Sequence, residues 1–308
     1  MAEAEILALL ILTLKGAVPL IFAALGELIV EKSGVLNLGI EGMMLMGAVF
    51  GFIGAVSTGS LFVGVLAGTA AAIVVSLIFG FLTLSLMANQ VATGLALTIF
   101  GIGLSAFIGK PFESATLIGI KDFAIPGLSA IPFVGPLLFE RDPLFYLSLV
   151  MFAAVTWFLY RSRAGLILRA VGESHESAHG LGYPVIRIRY LAVMFGAGMA
   201  GLGGAYLSLV LTPQWQEDMT AQRGWIALAL VVFATWRPER VLIGAWLFGG
   251  LTILNFAAQG RGISIPSEFL AIIPYIATIL VLVLISRDAT KIRLNAPASL
   301  GKAFHPSD

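Results

Sequence analysis

An all-α polytopic membrane protein with about 8–10 transmembrane helices is the fold class this sequence predicts. Three observations carry it. The 308 residues are 59% hydrophobic and only 11% charged, where a soluble domain carries roughly 25% charged residues. Mean hydropathy is +0.99. The apolar residues also fall in long continuous runs, unlike the short alternating segments of a transmembrane β-barrel. Net charge is +1, which gives no basic footprint for nucleic acid. There is no cysteine, so disulfides and thiolate metal sites are excluded. The start, MAEAEILALLILTL, is acidic first and lacks the basic n-region of a signal peptide, so the first apolar run reads as retained.

A span needs about 20 mostly apolar residues. Nine runs qualify or nearly so: 6–30, 35–56, 61–86, 90–109, 143–160, 190–211, 224–236, 242–258 and 270–286. The seventh and eighth are short, and Pro238 separates them. Lys15 interrupts the first; either it snorkels to an outer interface with 2–14 as a separate short helix, or the boundary lies elsewhere. Basic residues set the orientation. Residues 161–189 hold Arg161, Arg163, Arg169, Arg187 and Arg189, and the tail, 287–308, holds Arg287, Lys291, Arg293 and Lys302. Both are expected on the cytoplasmic side, and the charge-balanced loop 110–142 on the extracytoplasmic side. Residues 1–308 then form one membrane domain, since no polar segment is long enough for an ordinary independent domain.

The loop after the fifth run is informative. In GESHESAHGLGYPV, Glu173, Ser174, Glu176 and Ser177 suit a helix N-terminus; Gly180, Gly182 and Pro184 are stop signals. The spacing predicts a helix of about two turns. So short a helix is unstable alone and needs a surface, either the rest of the chain or a partner. His175, Glu176 and His179 also spell H-E-x-x-H, a zinc-protease pattern. Only His305 remains as a third histidine, and no second motif marks a carboxylate ligand, so a solvated polar face is the preferred reading.

Polar residues inside spans need a partner or water. They are Asn37 and Glu41 in the second run, Asn89, Gln90, Thr93 and Thr98 in the fourth, and Asn255 and Gln259 in the eighth. If helical, Asn37 and Glu41 share a face, as do Asn89 and Thr93. Gly34, Gly39, Gly42 and Gly47 surround the first pair and suggest a broken helix, a common way to build a transport site. Glu41 and Asn37 either brace that break or line a path. Asn89 and Gln90 either line it or mark an interfacial start. The stretch GAGMAGLGGAYLSL, 196–209, reads as a tight helix–helix seam.

Three stretches carry a resemblance: GELIVEKSGVLNLGIEGMMLMGA (26–48), NQVATGLALTIFGIGLSAF (89–107) and RSRAGLILRAVGESHESAHGLGYPVIRIRYLAVMFGAGMAGLGGAYLSL (161–209). They resemble permease subunits of nucleoside-type ABC importers, within the wider ribose and branched-chain amino-acid permease group. The length is similar to the shorter of two paired permeases. The resemblance implies a second permease as a heterodimer partner, an ATP-binding subunit that uses ATP and Mg, and an extracytoplasmic substrate-binding protein. It implies no cofactor on this chain, no metal, no catalysis, and a multi-pass place in a bacterial plasma membrane, the inner membrane if Gram-negative. The chain has no G-x-x-x-x-G-K-[ST] phosphate loop, in keeping with a partner ATPase.

The resemblance makes Glu173, Ser174, His175, Glu176, Ala178, His179, Gly180, Leu181 and Gly182 the coupling helix that docks on the ATPase. It makes SGVLNLGIEG a discontinuous second helix beside the path. Asn37, Glu41, Asn89, Gln90, Thr93 and Asn255 are the path candidates. The rival classes are a stand-alone secondary transporter, with Glu41 and Glu27 as titratable candidates, and the membrane zinc protease.

Overall fold

The computed structural model describes the backbone of residues 2–260 and 295–305, with single positions at Ile272, Ile276 and Val283; side chains at 2–3 and 255–260 stand outside that description. The ninth apolar run, 270–286, therefore lies largely outside the described residues, as does the Asn255 side chain. The described chain is mostly helical across its apolar runs, with non-helical backbone at 33–39 and 234–236. Its only strands, β1 (Phe123–Ala124) and β2 (Glu140–Arg141), pair antiparallel and pin the loop between the fourth and fifth runs.

Helix α1 (Ala2–Lys32) is continuous over 31 residues, about 46 Å at 1.5 Å per residue. That exceeds the ~30 Å hydrocarbon layer. No separate helix covers 2–14; the first turns are largely exposed, and burial begins at Ala17. Lys15 sits at the change and pairs with Asp122, Nζ to Oδ2 2.7 Å. Both side chains are part-exposed, and such pairs contribute ~1 kcal/mol or less. Lys15→Ala is therefore expected to leave the detergent-solubilised protein's melting midpoint nearly unchanged, as a thermal-shift assay would read.

After an irregular stretch, 33–39, come α2 (Ile40–Thr58), α3 (Leu61–Gly80) and α4 (Gln90–Gly109). Each boundary has a chemical cause. Gly59 turns left-handed at φ 69° to end α2. The Ser60 hydroxyl caps α3 by accepting from Val63 N–H, and the Asn89 amide oxygen caps α4 by accepting from Ala92 N–H. Helix α5 (Val134–Leu138) is a single turn in the 110–142 loop. Asp142 then caps α6 (Pro143–Arg161), with proline in its first turn where no N–H is needed. Next come α7 (Arg163–Glu173), α8 (His175–Gly180), α9 (Val185–Tyr206), α10 (Arg223–Phe233) and α11 (Pro238–Gly260).

Six described helices are long and apolar enough to cross a membrane; α10 is apolar but too short, with 11 residues. The six are not equivalent. In the most apolar window of α2 72% of residues are buried, and in that of α9 78%, against 28% in α3, α4 and α6. So α2 and α9, with the lower part of α1, form the interior, and α3, α4 and α6 keep wide apolar surfaces for lipid or a partner. Small residues allow this packing. Helix α1 runs antiparallel to α9: Gly203 faces Pro19, Gly196 faces Gly26, and Arg189 reaches Ser33. A Cβ on Gly26 would stand 2.8 Å from the Gly196 carbonyl oxygen, so the two backbones touch. The 196–209 stretch is thus a helix–helix seam, as its composition predicts.

Candidate functional site: two broken helices and the loop seated on them

Non-helical backbone at membrane depth survives only if protein satisfies its N–H and C=O groups. Among the described residues, two irregular segments, 33–39 and 212–222, are breaks whose backbone is bonded by buried polar side chains.

At the first break, Gly34 takes φ 86° and the chain leaves α1. The Gln90 Oε1 then accepts from Leu36 N–H at 2.8 Å. Glu27 Oε1 accepts from Asn37 N–H at 3.3 Å, and Asn37 Oδ1 accepts from Gly39 N–H at 3.0 Å. Thr98 donates its hydroxyl to Leu38 O at 2.9 Å. Because α2 starts only at Ile40, Asn37 precedes the helix and does not share a helix face with Glu41. Its amide instead folds onto its own loop. Asn89 and Thr93 also differ from the expected face pair, since Asn89 is the cap and Thr93 lies half-buried inside α4.

At the second break, Asp218, Ala221 and Gln222 all have positive φ, at 53°, 45° and 64°. Such left-handed residues cost about 1–3 kcal/mol each unless their surroundings hold them. Glu41, 2% exposed, is what holds this segment. Its Oε1 accepts from the Thr220 hydroxyl at 2.5 Å and from Gln222 N–H at 3.1 Å, and its Oε2 accepts from Gly224 N–H at 2.6 Å. A carboxylate on the N-terminus of α10 also meets the positive end of that helix. The approach is close enough that a Cβ on Gly224 would stand 2.5 Å from Glu41 Oε2. Residues 220–224 were not among the sequence candidates, and among the candidates with described side chains Glu41 is the one that reaches them.

Two more carboxylates lie one turn apart on α1. Glu27 and Glu31 are both fully buried. Glu31 Oε2 accepts from Trp236 Nε1 at 2.5 Å. The other oxygens, Glu27 Oε2 and Glu31 Oε1, have no hydrogen-bond partner among the described residues.

The remaining candidates gather where α1 ends. Glu173 closes α7 rather than opening α8. The Ser174 hydroxyl caps α8 by accepting from Ser177 N–H, so α8 has six residues, slightly less than the two turns expected. Residues 299–304 run beneath it. Phe304 stands edge-on to both His175 and His179, ring centroids 5.3 Å apart in each case, and packs with Val171, Ala178 and Val185. The two histidines of the H-E-x-x-H match thus grip an aromatic ring. No group of three His, Cys, Asp or Glu among the described residues is placed to hold a metal. Burial pushes the His175 ring below the usual histidine range, and the Arg189 guanidinium beside it acts in the same direction. Its Nδ1 lies 3.2 Å from an Arg189 Nη. Glu176, His179, Gly180 and Gly182 are exposed, and Leu181 is 77% exposed at the tip. Beside this unit, Asn89, Gln90, Gly301 and Ala303 wall a cleft of about 300 Å³.

The fold and this arrangement define a multi-pass membrane protein whose centre is two broken helices, with a short exposed helix on one face. The chain belongs to the family described as branched-chain amino acid transport system / permease component, matched over residues 9–284. It is a permease subunit of an ABC transporter in the plasma membrane. Curated relatives agree. A Haloferax volcanii protein with the provisional name glucose ABC transporter permease protein TsgC13 is 39% identical over 95% of this chain and 96% of its own. The nucleoside ABC transporter permease protein NupC of Lactococcus lactis is 31% identical, covering 86% of this chain and 88% of its own. The guanosine ABC transporter permease protein NupQ of Bacillus subtilis is 32% identical, covering 88% and 89%. No solved structure matches the chain.

Proposed function

We propose that this permease forms half of the path of an ATP-driven nucleoside importer, paired with a second, related permease. Its α8 docks on an ATP-binding subunit on the cytoplasmic side, and the 110–142 loop faces an extracytoplasmic binding protein. ATP and Mg are used by that partner ATPase, and this chain carries neither a cofactor nor a catalytic site. The observation that carries the reading is the exposed α8–Leu181 knob, which projects from a six-residue helix that could not stand alone.

Asn89, Gln90 and Thr93 are the solute-facing candidates, because they border the cleft or lie half-buried on α4. Asn37 and Glu41 act behind the wall, holding its backbone. A neutral nucleoside needs hydrogen bonds and apolar faces but no fixed counter-charge, which suits amides and a threonine. Two relatives at 31% and 32% identity are named for nucleoside or guanosine transport and support the substrate class. The 39% identical relative named for glucose favours a sugar as the second reading.

Uptake of labelled guanosine and of glucose, each competed by the other unlabelled solute, separates the two. Guanosine uptake that excess glucose leaves intact supports the proposal; the reverse pattern overturns it. The docking role has its own test. Ala178 is 2% exposed against Phe304, while Gly180 is open to solvent. Gly180→Pro is therefore expected to leave the chain in the membrane and reduce uptake at least tenfold. Ala178→Arg is expected to do the same by lifting α8 off its seat. Unchanged uptake in both variants, in membranes holding normal amounts of the chain, removes the docking assignment.

A further inference from the structure

Arg189 is buried in the first turns of α9, 1% exposed. A buried guanidinium normally takes a carboxylate partner. None among the described residues lies in ion-pair range of this one. Its donors instead go to three separate pieces of the chain. Nε donates to Ser33 O at 3.2 Å, on the first break. One Nη donates to Lys302 O at 3.1 Å, on the strap formed by residues 299–304. The other Nη meets His175 Nδ1 at 3.2 Å, on α8. A ring kept neutral by its surroundings can accept there.

The strap also touches α8 through Phe304, and it touches α7 and the break directly. Ser299 N–H donates to Gly172 O at 3.0 Å, and the Ser299 hydroxyl reaches that same oxygen. Gly301 N–H donates to Gly34 O at 3.1 Å, and Lys32 Nζ donates to Asn295 O at 2.7 Å. A Cβ on Gly34 would stand 2.8 Å from an Arg189 Nη and 3.1 Å from Ser299 Oγ. Thus α8, the strap and the break meet with no spare layer between them, and close-packed groups transmit displacement instead of absorbing it.

From this geometry we infer that Arg189 is the positioning residue that carries movement of the α8–strap unit to the broken second helix. This rests on the docking role proposed above for α8. A partner that pushes α8 moves His175 and Phe304 with it; Arg189 and the strap then pull on Ser33 and Gly34, where the non-helical backbone of the wall begins. The strap, residues 299–304, becomes a working part of the coupling device and not a loose tail. Fork geometry explains the residue type. Arginine can hold three directions at once, while lysine is a point donor on a flexible stem.

The test uses the whole transporter reconstituted with its partner subunits, reading ATP hydrolysis and solute uptake together. Arg189→Lys and Arg189→Met are expected to co-purify with the ATP-binding subunit and to keep hydrolysis within about twofold of wild type. Uptake per ATP is expected to fall at least tenfold, less for lysine than for methionine. A designed cross-link guards against a merely structural explanation. The chain has no cysteine of its own. A Cβ at position 301 would lie 4.0 Å from Leu36 Cβ, within the 3.5–4.5 Å that a disulfide spans. Oxidising Leu36→Cys with Gly301→Cys in the Arg189→Met background ties strap to break by another route. Recovery of at least half the uptake per ATP, lost again on reduction, is the expected result.

Two outcomes overturn the inference: Arg189→Met with the wild-type ratio, or a formed cross-link that restores nothing. If Gly180→Pro also leaves the ratio intact, the docking reading itself has failed. If Gly180→Pro uncouples and Arg189→Met does not, only the role of Arg189 has.

Discussion

Glu41→Ala is expected to reduce solute uptake at least tenfold while the chain still reaches the membrane. The substitution removes the acceptor for the Thr220 hydroxyl and for Gln222 and Gly224 N–H. Each buried donor left without a partner costs about 1–3 kcal/mol. Ala221 and Gln222 would also lose the contact that holds them at positive φ. The combined loss, about 2–9 kcal/mol from two or three orphaned donors, is comparable with the whole stability of an ordinary domain. It falls on one local seat, so the second break should open before the protein unfolds. Limited proteolysis or cysteine labelling at 218–222 would detect this. Glu41→Gln keeps one carbonyl oxygen but turns an N–H₂ group toward donors, so partial recovery is expected. Full activity with alanine would show that the carboxylate holds nothing the transporter needs.

Gly204→Leu is expected to prevent folding, with loss of chain from the membrane fraction. A Cβ at this position falls on the Met44 carbonyl oxygen and reaches to 2.7 Å from Ala48 N. Both obstacles are backbone of α2, which cannot swing aside as a side chain could. Overpacking a tight interior costs about 1–3 kcal/mol even where neighbours relax, and here α2 must move away from α9. Those two helices carry the interior, so the separation spreads to α1 and α3. Gly103 is the matched control, since a Cβ there would meet nothing within 4 Å: Gly103→Leu should accumulate normally. Equal accumulation of the two variants would mean that the α2–α9 seam is looser than these contacts require.

The starts of α3, α4 and α6 were legible because each apolar run there meets a residue with a specific job, whereas α9 and α11 begin several residues before the runs read at 190 and 242. Ser60, Asn89 and Asp142 are caps, and Pro238 opens α11. The break before α2 was legible from its glycines. Helix α7 was not legible, because Gly165 and Gly172 are poor helix formers at either end of LILRAV. In the structure both glycines are helical: a Cβ on Gly172 would fall on the Lys32 carbonyl oxygen, and one on Gly165 on that of Phe158. Ser162, the cap of α7, was the available signal.

Glu41 stood out as an expensive residue, but its partners did not. Thr220 lies 179 residues away in a stretch that reads as ordinary polar loop, and nothing in one sequence pairs them. The strap was equally hidden. Phe304 is one aromatic in a short polar tail, and its use becomes apparent only beside His175 and His179. Local chemistry writes helix ends into a sequence; long-range repair of a helix break is written only in three dimensions.

This chain is expected to move solute only as part of an ATP-driven assembly. The deciding experiment follows solute accumulation in sealed vesicles holding the purified chain alone, or the chain with the proposed second permease, an ATP-binding subunit and a binding protein. Guanosine is expected to accumulate only in the complete set, only with ATP and Mg, and not with the chain alone. Accumulation by the chain alone, driven by an ion gradient and abolished by Glu27→Gln or Glu41→Gln, would contradict this expectation.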